Sequence, residues 1–212
     1  MANKLAYINT VATALQGLDL KGLFPSVVIA QAILESSWGE SALAKTYNNH
    51  FGMKKGSGTN YGGWGGQTVT LKTGEVINGQ RVTVNGVFRV YPDLKASIVD
   101  HNGLFFTLSR YKDVLTAKTP REQITAIKNG GYATAPLYVD AVMNIIDDNN
   151  LTRFDPTSSP AEPSGSTTGQ TPTGSGNQQT QKQFKMNTRT LSIIIVAAGL
   201  ALAGIGGYNL LF

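Results

Sequence analysis

The sequence predicts an α+β domain at residues 1–155, a flexible linker at residues 156–190 and a single membrane-spanning helix at residues 191–212. Three observations support this organisation. Helical apolar patterns stand on both sides of a short segment in which apolar and polar residues alternate, which indicates helices packed with a small sheet. A segment poor in large apolar residues then follows, and a long uncharged apolar segment comes after it.

Helical periodicity starts close to the N-terminus. The apolar face of a first amphipathic helix is formed by Leu5, Ile8, Ala12 and Leu15. The segment from Pro25 to Trp38 is apolar around most of its surface, which predicts a largely buried helix, and Pro25 suits its first turn. Further helices, each preceded by a proline, are predicted at about residues 93–111, 121–128 and 137–147.

Between these helices, residues 67–91 change to a period of two, which is typical of strands. Asn78-Gly79 and Asn85-Gly86 are dipeptides that favour tight turns between antiparallel strands. We therefore expect a small β-hairpin or a three-stranded lobe within an otherwise helical domain.

The linker and the membrane helix are predicted from composition. Of the 28 residues from Pro156 to Gln183, 24 are Pro, Gly, Ser, Thr or Gln, and such a chain cannot bury enough surface to offset its ordering entropy. The 22 residues from Leu191 to Phe212 carry no charge. As a helix they would span about 33 Å, close to the hydrocarbon thickness of a bilayer. The alternative is a helix buried in a protein core.

The composition also restricts the kind of site. The chain has 212 residues, no cysteine and two histidines, so disulfides, thiol nucleophiles and multi-histidine metal centres are not expected. We expect neither a metal nor a cofactor. The formal net charge of +5 suits an anionic polymer or a membrane surface as partner, and we expect no nucleic-acid partner.

Glu35 is the first candidate for chemistry, because it stands near the end of the apolar helix predicted at Pro25–Trp38. A carboxyl group there is partly desolvated, which raises its pKa and can keep it protonated near neutral pH. Cleavage of a glycosidic bond needs such a general acid. The alternative is an ordinary helix-end glutamate that caps the helix or forms an ion pair.

Glu75, in a predicted turn of the β-lobe, is a second candidate carboxylate, although such a glutamate is commonly just solvated. Most of the acidic residues on or beside the later helices, a group that includes Asp100, are expected to cap helices or to face solvent. A serine triad could be written from Ser36, a histidine and Asp100, but no Gly-x-Ser-x-Gly turn supports it.

Aromatic and small polar residues are concentrated at residues 48–54, 61–66 and 130–134. Sugar rings stack on flat aromatic faces and hydrogen-bond to amides and hydroxyls, so these clusters suit a saccharide cleft. The alternative is that Phe51 and Tyr132 belong to the core and that the glycines only form turns.

Six short motifs follow one another in an order that resembles a known family: residues 30–41, 48–54, 73–75, 88–91, 110–111 and 131–138. Together they make residues 5–153 similar to glycoside hydrolase family 73, the bacterial peptidoglycan N-acetylglucosaminidases, which include phage lysins and the flagellar rod-associated peptidoglycan hydrolase. The resemblance implies a lysozyme-like α+β fold with a small mobile β-lobe.

The resemblance also implies roles for single residues. Glu35 would be the catalytic general acid, Glu75 the second carboxylate and Tyr132 an aromatic residue beside the cleaved bond. Substrate contacts are expected from Trp38, Asn49, Phe51, Trp64 and Tyr138. The reaction implied is endo-acting hydrolysis of the β-1,4 bond after N-acetylglucosamine in peptidoglycan glycan strands.

Alternatives stay open at this stage. Glu75 would either activate water, giving inversion, or support the substrate's acetamido group as internal nucleophile, giving retention. Ala135 stands where many family members have Asp, which leaves open an inactive lysozyme-like module that binds cell wall or partner proteins. A lytic transglycosylase, a muramidase or a cellular autolysin would share the fold.

The predicted location follows from the charges beside the membrane helix. The basic residues Lys182, Lys185 and Arg189 precede this helix, and no charge follows it in the sequence. The positive-inside rule therefore places the enzyme on the cytoplasmic side. No signal-peptide pattern is visible. Both features fit a tail-anchored lytic enzyme in the membrane of a bacteriophage virion. A stripe of small residues further predicts self-association of the anchor helix: Gly199, Ala203 and Gly207.

Overall fold

The computed structural model describes residues 2–77 and 80–156. Its helices and strands follow in the order α1 (Ala2–Leu15), α2 (Pro25–Ser36), α3 (Ala42–Tyr47), β1 (Thr68–Ile77), β2 (Gln80–Arg89), α4 (Leu94–Thr107), α5 (Pro120–Asn129) and α6 (Tyr138–Asp148). Two 3-10 helices lie at Ser109–Val114 and Leu151–Phe154. Helices thus flank a small sheet, which confirms the predicted α+β class.

The membrane helix predicted at residues 191–212 lies outside the described residues, as does the predicted linker from residue 157 onward. Both features, and the self-association of the anchor, stay predictions. Within the described ranges, no helix combines the length and the apolar character needed to cross a bilayer.

Helix α2 is the centre of the core and packs against α1, α5, α6 and the 3-10 helix at Leu151–Phe154. All its residues after Pro25 are buried, as its apolar sequence predicts. Pro25 occupies the first turn, where its missing N–H costs no helical hydrogen bond. The helix ends earlier than the predicted Trp38, because Ser37 adopts left-handed backbone (φ 52°) and its N–H bonds to the Ile33 carbonyl.

Helix α1 packs on α2 and α4. Its buried side chains are Ile8, Val11 and Leu15, which share one helical face. The predicted face is wrong for Leu5, which is 55% exposed, because Leu5 lies one helical turn beyond the part of the face that meets the core.

The β-lobe is an antiparallel hairpin of β1 and β2. Its register pairs Ile77 with Gln80, on either side of the Asn78-Gly79 dipeptide that predicts a turn and that lies outside the described residues. The described residues contain no third strand in this sheet, so of the two predicted forms of the lobe the hairpin is the one observed.

The turn predicted at Asn85-Gly86 is wrong, because both residues lie inside β2 and pair with β1. A Cβ atom on Gly86 would lie 2.8 Å from Cε2 of Phe88 and 3.0 Å from Cγ2 of Thr73. Gly86 therefore leaves space for the Phe88 ring, which lies over it on the same face of the strand. The glycine does not form a turn.

The helix predicted at residues 93–111 divides into α4 and the 3-10 helix at Ser109–Val114. Asp93 caps α4, since its side chain accepts a hydrogen bond from the Ala96 N–H at 2.7 Å. Leu108 separates the two helices with extended backbone (φ −89°, ψ 120°). Helices α5 and α6 lie within one residue of their predicted bounds, whereas α3, which begins after the capping residue Ser41, was not predicted.

A buried ion pair fixes the β-lobe to α4. Arg89, the last residue of β2, donates from Nη1 to Oδ2 of Asp100 at 2.7 Å, and both side chains are buried. The hydroxyl of Tyr91 donates to the same oxygen at 2.7 Å, and the Tyr61 N–H donates to the other at 3.0 Å. The expectation that Asp100 caps a helix or faces solvent is therefore wrong: its carboxylate is the buried point at which hairpin, loop and helix meet.

Candidate active site

Glu35 lies in the last turn of α2, where the helix meets the left-handed residue Ser37. Its side chain is 5% exposed, and burial raises its pKa to about 8. Oε2 has no hydrogen-bond partner among the described residues. Glu35 therefore neither caps the helix nor forms an ion pair within the described part of the chain. It is a carboxyl group that keeps its proton at neutral pH, which is the state a general acid requires.

Two buried tyrosines share the electrostatic environment of Glu35. Burial raises the pKa of Tyr132 and of Tyr138 far above the usual range, and a negative charge on Glu35 raises both further. The Tyr132 hydroxyl has no partner among the described residues, whereas the Tyr138 hydroxyl accepts a hydrogen bond from Nε2 of Gln31 at 3.0 Å. Both tyrosines are thus neutral groups close to the carboxyl group, and Tyr132 has an unused O–H donor.

Aromatic rings hold Tyr132 in place. Its ring centroid lies 5.6 Å from that of His101, 5.7 Å from that of Phe105 and 6.0 Å from that of Tyr138. His101 in turn stacks on Phe51 at 3.9 Å, and burial lowers its pKa to about 4, so it is neutral. The structure therefore brings three predicted site residues, Tyr132, Tyr138 and Phe51, together in one buried aromatic cluster.

Asn49 shapes the loop that follows α3. Its side-chain amide donates to the carbonyls of Met53 and Arg89, both at 2.9 Å, and its carbonyl oxygen accepts from the Met53 N–H. Asn49 and Phe51 are each about 1% exposed. In this structure both residues support the loop and the aromatic cluster from inside, and their predicted contact with substrate stays a prediction.

Trp64 packs on the guanidinium group of Arg89, whose Cζ lies 4.4 Å from its ring centroid. Its indole N–H donates to the Gln67 carbonyl at 2.6 Å. Arg89 also donates to the carbonyls of Lys54, Lys55 and Thr59, so it orders the loop that leads to Trp64. Trp64 is 6% exposed and lies with the lobe-anchoring residues, and its predicted contact with substrate is likewise untested.

Trp38 is the half-buried member of the five predicted substrate-contact residues. It has left-handed backbone (φ 64°), and the ammonium group of Lys4 lies 4.6 Å from its ring centroid. Trp38 follows Glu35 by three residues in the chain, and its predicted contact with substrate stays a prediction.

Glu75 is a strand residue of β1, paired with Val82 of β2. The sequence-based description of Glu75 as a turn residue is therefore wrong. Its neighbours Thr73 and Gly74 also lie inside the strand. The position places Glu75 on the β-lobe, on a different element from the helix end that carries Glu35. Its role as second carboxylate stays a prediction.

The groups of the hypothetical serine triad do not form one. Ser36 Oγ lies 2.5 Å from the Ala32 carbonyl and 2.9 Å from the Tyr7 hydroxyl, and His50 Nδ1 lies 2.8 Å from the same hydroxyl. Asp100 is engaged by Arg89 and Tyr91. Among the described residues, no chain of hydrogen bonds runs from Ser36 to a histidine and from that histidine to Asp100. Nucleophilic catalysis by Ser36 therefore has no geometric support.

Other ligand sites are not evident near Glu35. Among the described residues, no group of three or more His, Cys, Asp or Glu side chains is placed to hold a metal ion. Two described grooves lie elsewhere: one of about 730 Å³ beside α5, which includes Arg121 and Asn129, and one of about 520 Å³ between α1 and the 3-10 helix at Leu151–Phe154.

Sequence reasoning missed three parts of the site. Gln31 precedes Glu35 by one helical turn, so its helical spacing was an available signal. The other two parts are the Arg89–Asp100 ion pair and the contact of Tyr7 with Ser36 and His50. They join distant segments of the chain, so no local sequence pattern predicts them.

Comparison with known proteins places these features in a family context. Residues 11–151 match the family Glucosaminidase, described as mannosyl-glycoprotein endo-beta-N-acetylglucosaminidase. The exo-glucosaminidase LytG of Bacillus subtilis (strain 168) is 41% identical over 138 residues, which cover 63% of this chain and 46% of that protein. A probable N-acetylmuramidase of Lactococcus lactis subsp. cremoris is 40% identical over 162 residues, which cover 73% of this chain and 36% of that protein. The chain thus spans less than half the length of either relative.

Solved structures share the fold. The catalytic domain of the autolysin Auto from Listeria monocytogenes aligns with a TM-score of 0.62 and 32% identity, covering 73% of this chain and 89% of that domain. A truncated glycoside hydrolase domain of Salmonella typhimurium FlgJ aligns with a TM-score of 0.52 and 30% identity, covering 69% and 95%. These alignments confirm the predicted lysozyme-like α+β fold.

Proposed function

The chain belongs to the glucosaminidase family, and on that premise we propose that it is a peptidoglycan hydrolase that cleaves the β-1,4 bond after N-acetylglucosamine within glycan strands. The observation that carries this proposal is the environment of Glu35. Burial raises its pKa to about 8, and Oε2 has no partner among the described residues, so a protonated carboxyl group is available to a leaving oxygen.

The proposed reaction begins with proton donation. The Glu35 carboxyl gives its proton to the glycosidic oxygen as the bond from that oxygen to the anomeric carbon breaks. Water supplies a hydroxyl to the anomeric carbon, and its other proton passes to the group that activates the water, Glu75 or the deprotonated Glu35; when Glu75 takes it, Glu35 is reprotonated from solvent. The products are two glycan fragments, one of which has a new reducing N-acetylglucosamine end.

Tyr132 is proposed to act beside the cleaved bond. Its pKa is raised by burial, so it stays a neutral donor across neutral pH, and its O–H has no partner among the described residues. A neutral donor at this place can bind a polar group of the sugar without competing with Glu35 for a proton. Glu75, on β1, is proposed as the second carboxylate, either activating water or supporting the acetamido group.

Two alternative cleavage specificities are supported by the names of relatives. One relative is a probable N-acetylmuramidase, which favours cleavage after N-acetylmuramic acid. Another is an exo-glucosaminidase, which favours release of units from chain ends. The products distinguish these alternatives from the endo-acting glucosaminidase that we propose.

The test is product analysis with the full chain on purified peptidoglycan, followed by borohydride reduction and mass spectrometry. The proposal requires that cleavage within the glycan strands creates new reducing ends, detected as reduced N-acetylglucosamine. Glu35→Gln must abolish the formation of these ends. Reduced N-acetylmuramic acid would establish the muramidase alternative, an anhydro end a lytic transglycosylase, and early release of terminal units alone an exo-acting enzyme. Wild-type protein that binds peptidoglycan and releases nothing would establish an inactive binding module.

We further propose that residues 191–212 anchor the enzyme in a membrane, with the enzyme on the cytoplasmic side until a virion is assembled. The support is the uncharged 22-residue segment and the basic residues before it. Protease treatment of intact host cells that express the full chain tests the orientation. Protection of the enzyme domain is expected, whereas its removal from outside without lysis would favour a cellular autolysin.

A further inference from the structure

A tyrosine of α1 contacts the turn that follows Glu35. The Tyr7 hydroxyl lies 2.9 Å from Ser36 Oγ and 2.8 Å from His50 Nδ1, and the Tyr7 and His50 rings stack with 5.8 Å between centroids. A Cβ atom on Gly39 would lie 2.5 Å from Cε2 of Tyr7, so the ring lies directly against that glycine. Tyr7 therefore joins α1, the end of α2 and the loop after α3.

The backbone in contact with Tyr7 has an unfavourable conformation. Ser37, Trp38 and Gly39 have successive φ values of 52°, 64° and 76°. Left-handed backbone is strained for residues other than glycine, so surrounding contacts must hold Ser37 and Trp38 in place. Strain of this kind, directly after a proposed catalytic acid, points to a geometry maintained for function.

Ser36 provides one of these contacts. It is fully buried, its Oγ donates to the Ala32 carbonyl at 2.5 Å, and the same Oγ accepts from the Gly39 N–H at 2.7 Å. The short Ser36–Ala32 distance assigns the single hydroxyl proton of Ser36 to the Ala32 carbonyl, so we assign the Tyr7 hydroxyl as donor to Ser36 Oγ; it also lies 3.4 Å from the same carbonyl. The Tyr7 oxygen then accepts from Nδ1–H of His50.

This arrangement is stable across neutral pH. Burial lowers the pKa of His50 to about 4, and burial raises the pKa of Tyr7 to about 12. Both groups are therefore neutral, and the chain of hydrogen bonds from His50 to Ala32 needs no charged member. With the donors assigned in this order, the proton of His50 is on Nδ1.

We propose that Tyr7 and His50 are positioning residues, which hold the catalytic carboxyl group in place through Ser36. The inference rests on the proposed role of Glu35 as general acid. Since Oε2 of Glu35 has no partner among the described residues, the direction of its side chain depends on the backbone before and after it. Helix α2 fixes the backbone before Glu35, and the hydrogen bonds that join Tyr7, Ser36 and His50 fix the backbone after it. Small displacements of a reacting group cost large factors in rate.

The test is Tyr7→Phe in the full chain, which removes the hydroxyl and keeps the ring. On soluble glycan fragments of peptidoglycan, we expect kcat to fall about 10- to 100-fold while KM changes by less than about threefold. Tyr47→Phe is the matched control, since the half-buried Tyr47 makes no side-chain hydrogen bond with the described residues and should keep the wild-type kcat.

Two substitutions of His50 provide a test that does not depend on Tyr7. Asparagine can present an N–H near the place of Nδ1, so His50→Asn should retain kcat within about threefold, whereas His50→Leu should lose as much as Tyr7→Phe. If Tyr7→Phe does not fold, this pair decides the question.

A wild-type kcat in Tyr7→Phe or in His50→Leu would overturn the inference, as would equal losses in His50→Asn and His50→Leu. Activity retained by Glu35→Gln would instead refute the proposed function. The two failures are therefore separate outcomes.

Discussion

Replacing Glu35 by glutamine separates a catalytic acid from a structural glutamate. Glutamine keeps the size of the side chain but cannot donate a proton to a leaving oxygen. Loss of a general acid costs about 100- to 10,000-fold, and we expect kcat/KM to fall by that factor. In the wild type, kcat/KM should fall as pH rises through about 8, where the free enzyme loses the Glu35 proton.

The same substitution has a predictable effect on stability. Burial raises the pKa of Glu35 from 4.5 to about 8, so between these pH values the folded state holds more protons than the unfolded state. The free energy of unfolding of the wild type then falls by about 1.4 kcal/mol per pH unit, up to about 5 kcal/mol in all. Domain stabilities are roughly 5–15 kcal/mol, so this is a large fraction. Glutamine removes the penalty, so the variant should be the more stable protein at pH 8.5 and lose that advantage near pH 5.

Urea unfolding of wild type and Glu35→Gln at pH 5 and pH 8.5 measures this difference, and Glu40→Gln is the matched control. The exposed Glu40 carboxylate is hydrogen-bonded by Lys45, which lowers its pKa, so its charge stabilises the fold above its unfolded pKa. Because an exposed ion pair contributes little, Glu40→Gln should lose at most a little stability at pH 8.5, and it should keep wild-type hydrolysis. A Glu35→Gln variant that is less stable than the wild type at pH 8.5 and retains hydrolysis within threefold would refute the reasoning.

Three further predictions concern the second carboxylate, the lobe and the anchor. Glu75→Gln should lower the rate of peptidoglycan hydrolysis at least about 100-fold, and a rate within threefold of wild type would exclude Glu75 from the mechanism. Asp100→Asn leaves the buried Arg89 charge without its counter-ion, so urea unfolding should show a loss of about 3 kcal/mol or more, and a loss below 1 kcal/mol would contradict the anchoring role. Ala203→Leu adds bulk to the small-residue stripe and should reduce cross-linking of the full chain in detergent; unchanged cross-linking would show that the stripe is not an interface.

Local patterns predicted the elements that lie around the site. Helix α2 could be predicted because its residues are apolar on nearly all faces, and partial desolvation of Glu35 could be expected from its place in that helix. Helices α5 and α6 could be predicted because their starts are marked by proline and their faces alternate at helical spacing. The pattern of apolar residues within about ten positions is enough to predict such a helix, without knowledge of the elements that pack against it.

Local patterns failed where the packing of the folded chain changed the meaning of a signal. Asn85-Gly86 has the composition of a turn, yet the glycine is needed for the Phe88 ring inside a strand. Leu5 has the spacing of a core residue, yet the core does not extend to it. Asp100 has the position of a surface acid, yet Arg89 meets it from the hairpin. The pairing of the strands, the limit of the core and a long-range ion pair decided these three cases, respectively.

The sequence by itself determined the class of fold, the order of most of its elements and the place of Glu35 near the end of an apolar helix, because these depend on apolar periodicity along the chain. Only the tertiary structure decided what surrounds that acid. Tyr7 meets Ser36 across 29 residues and His50 across 43, and Gln31 meets Tyr138 across 107. Hydrogen bonds of this kind depend on distances of a few tenths of an ångström between elements, and those distances exist only after the whole core has packed.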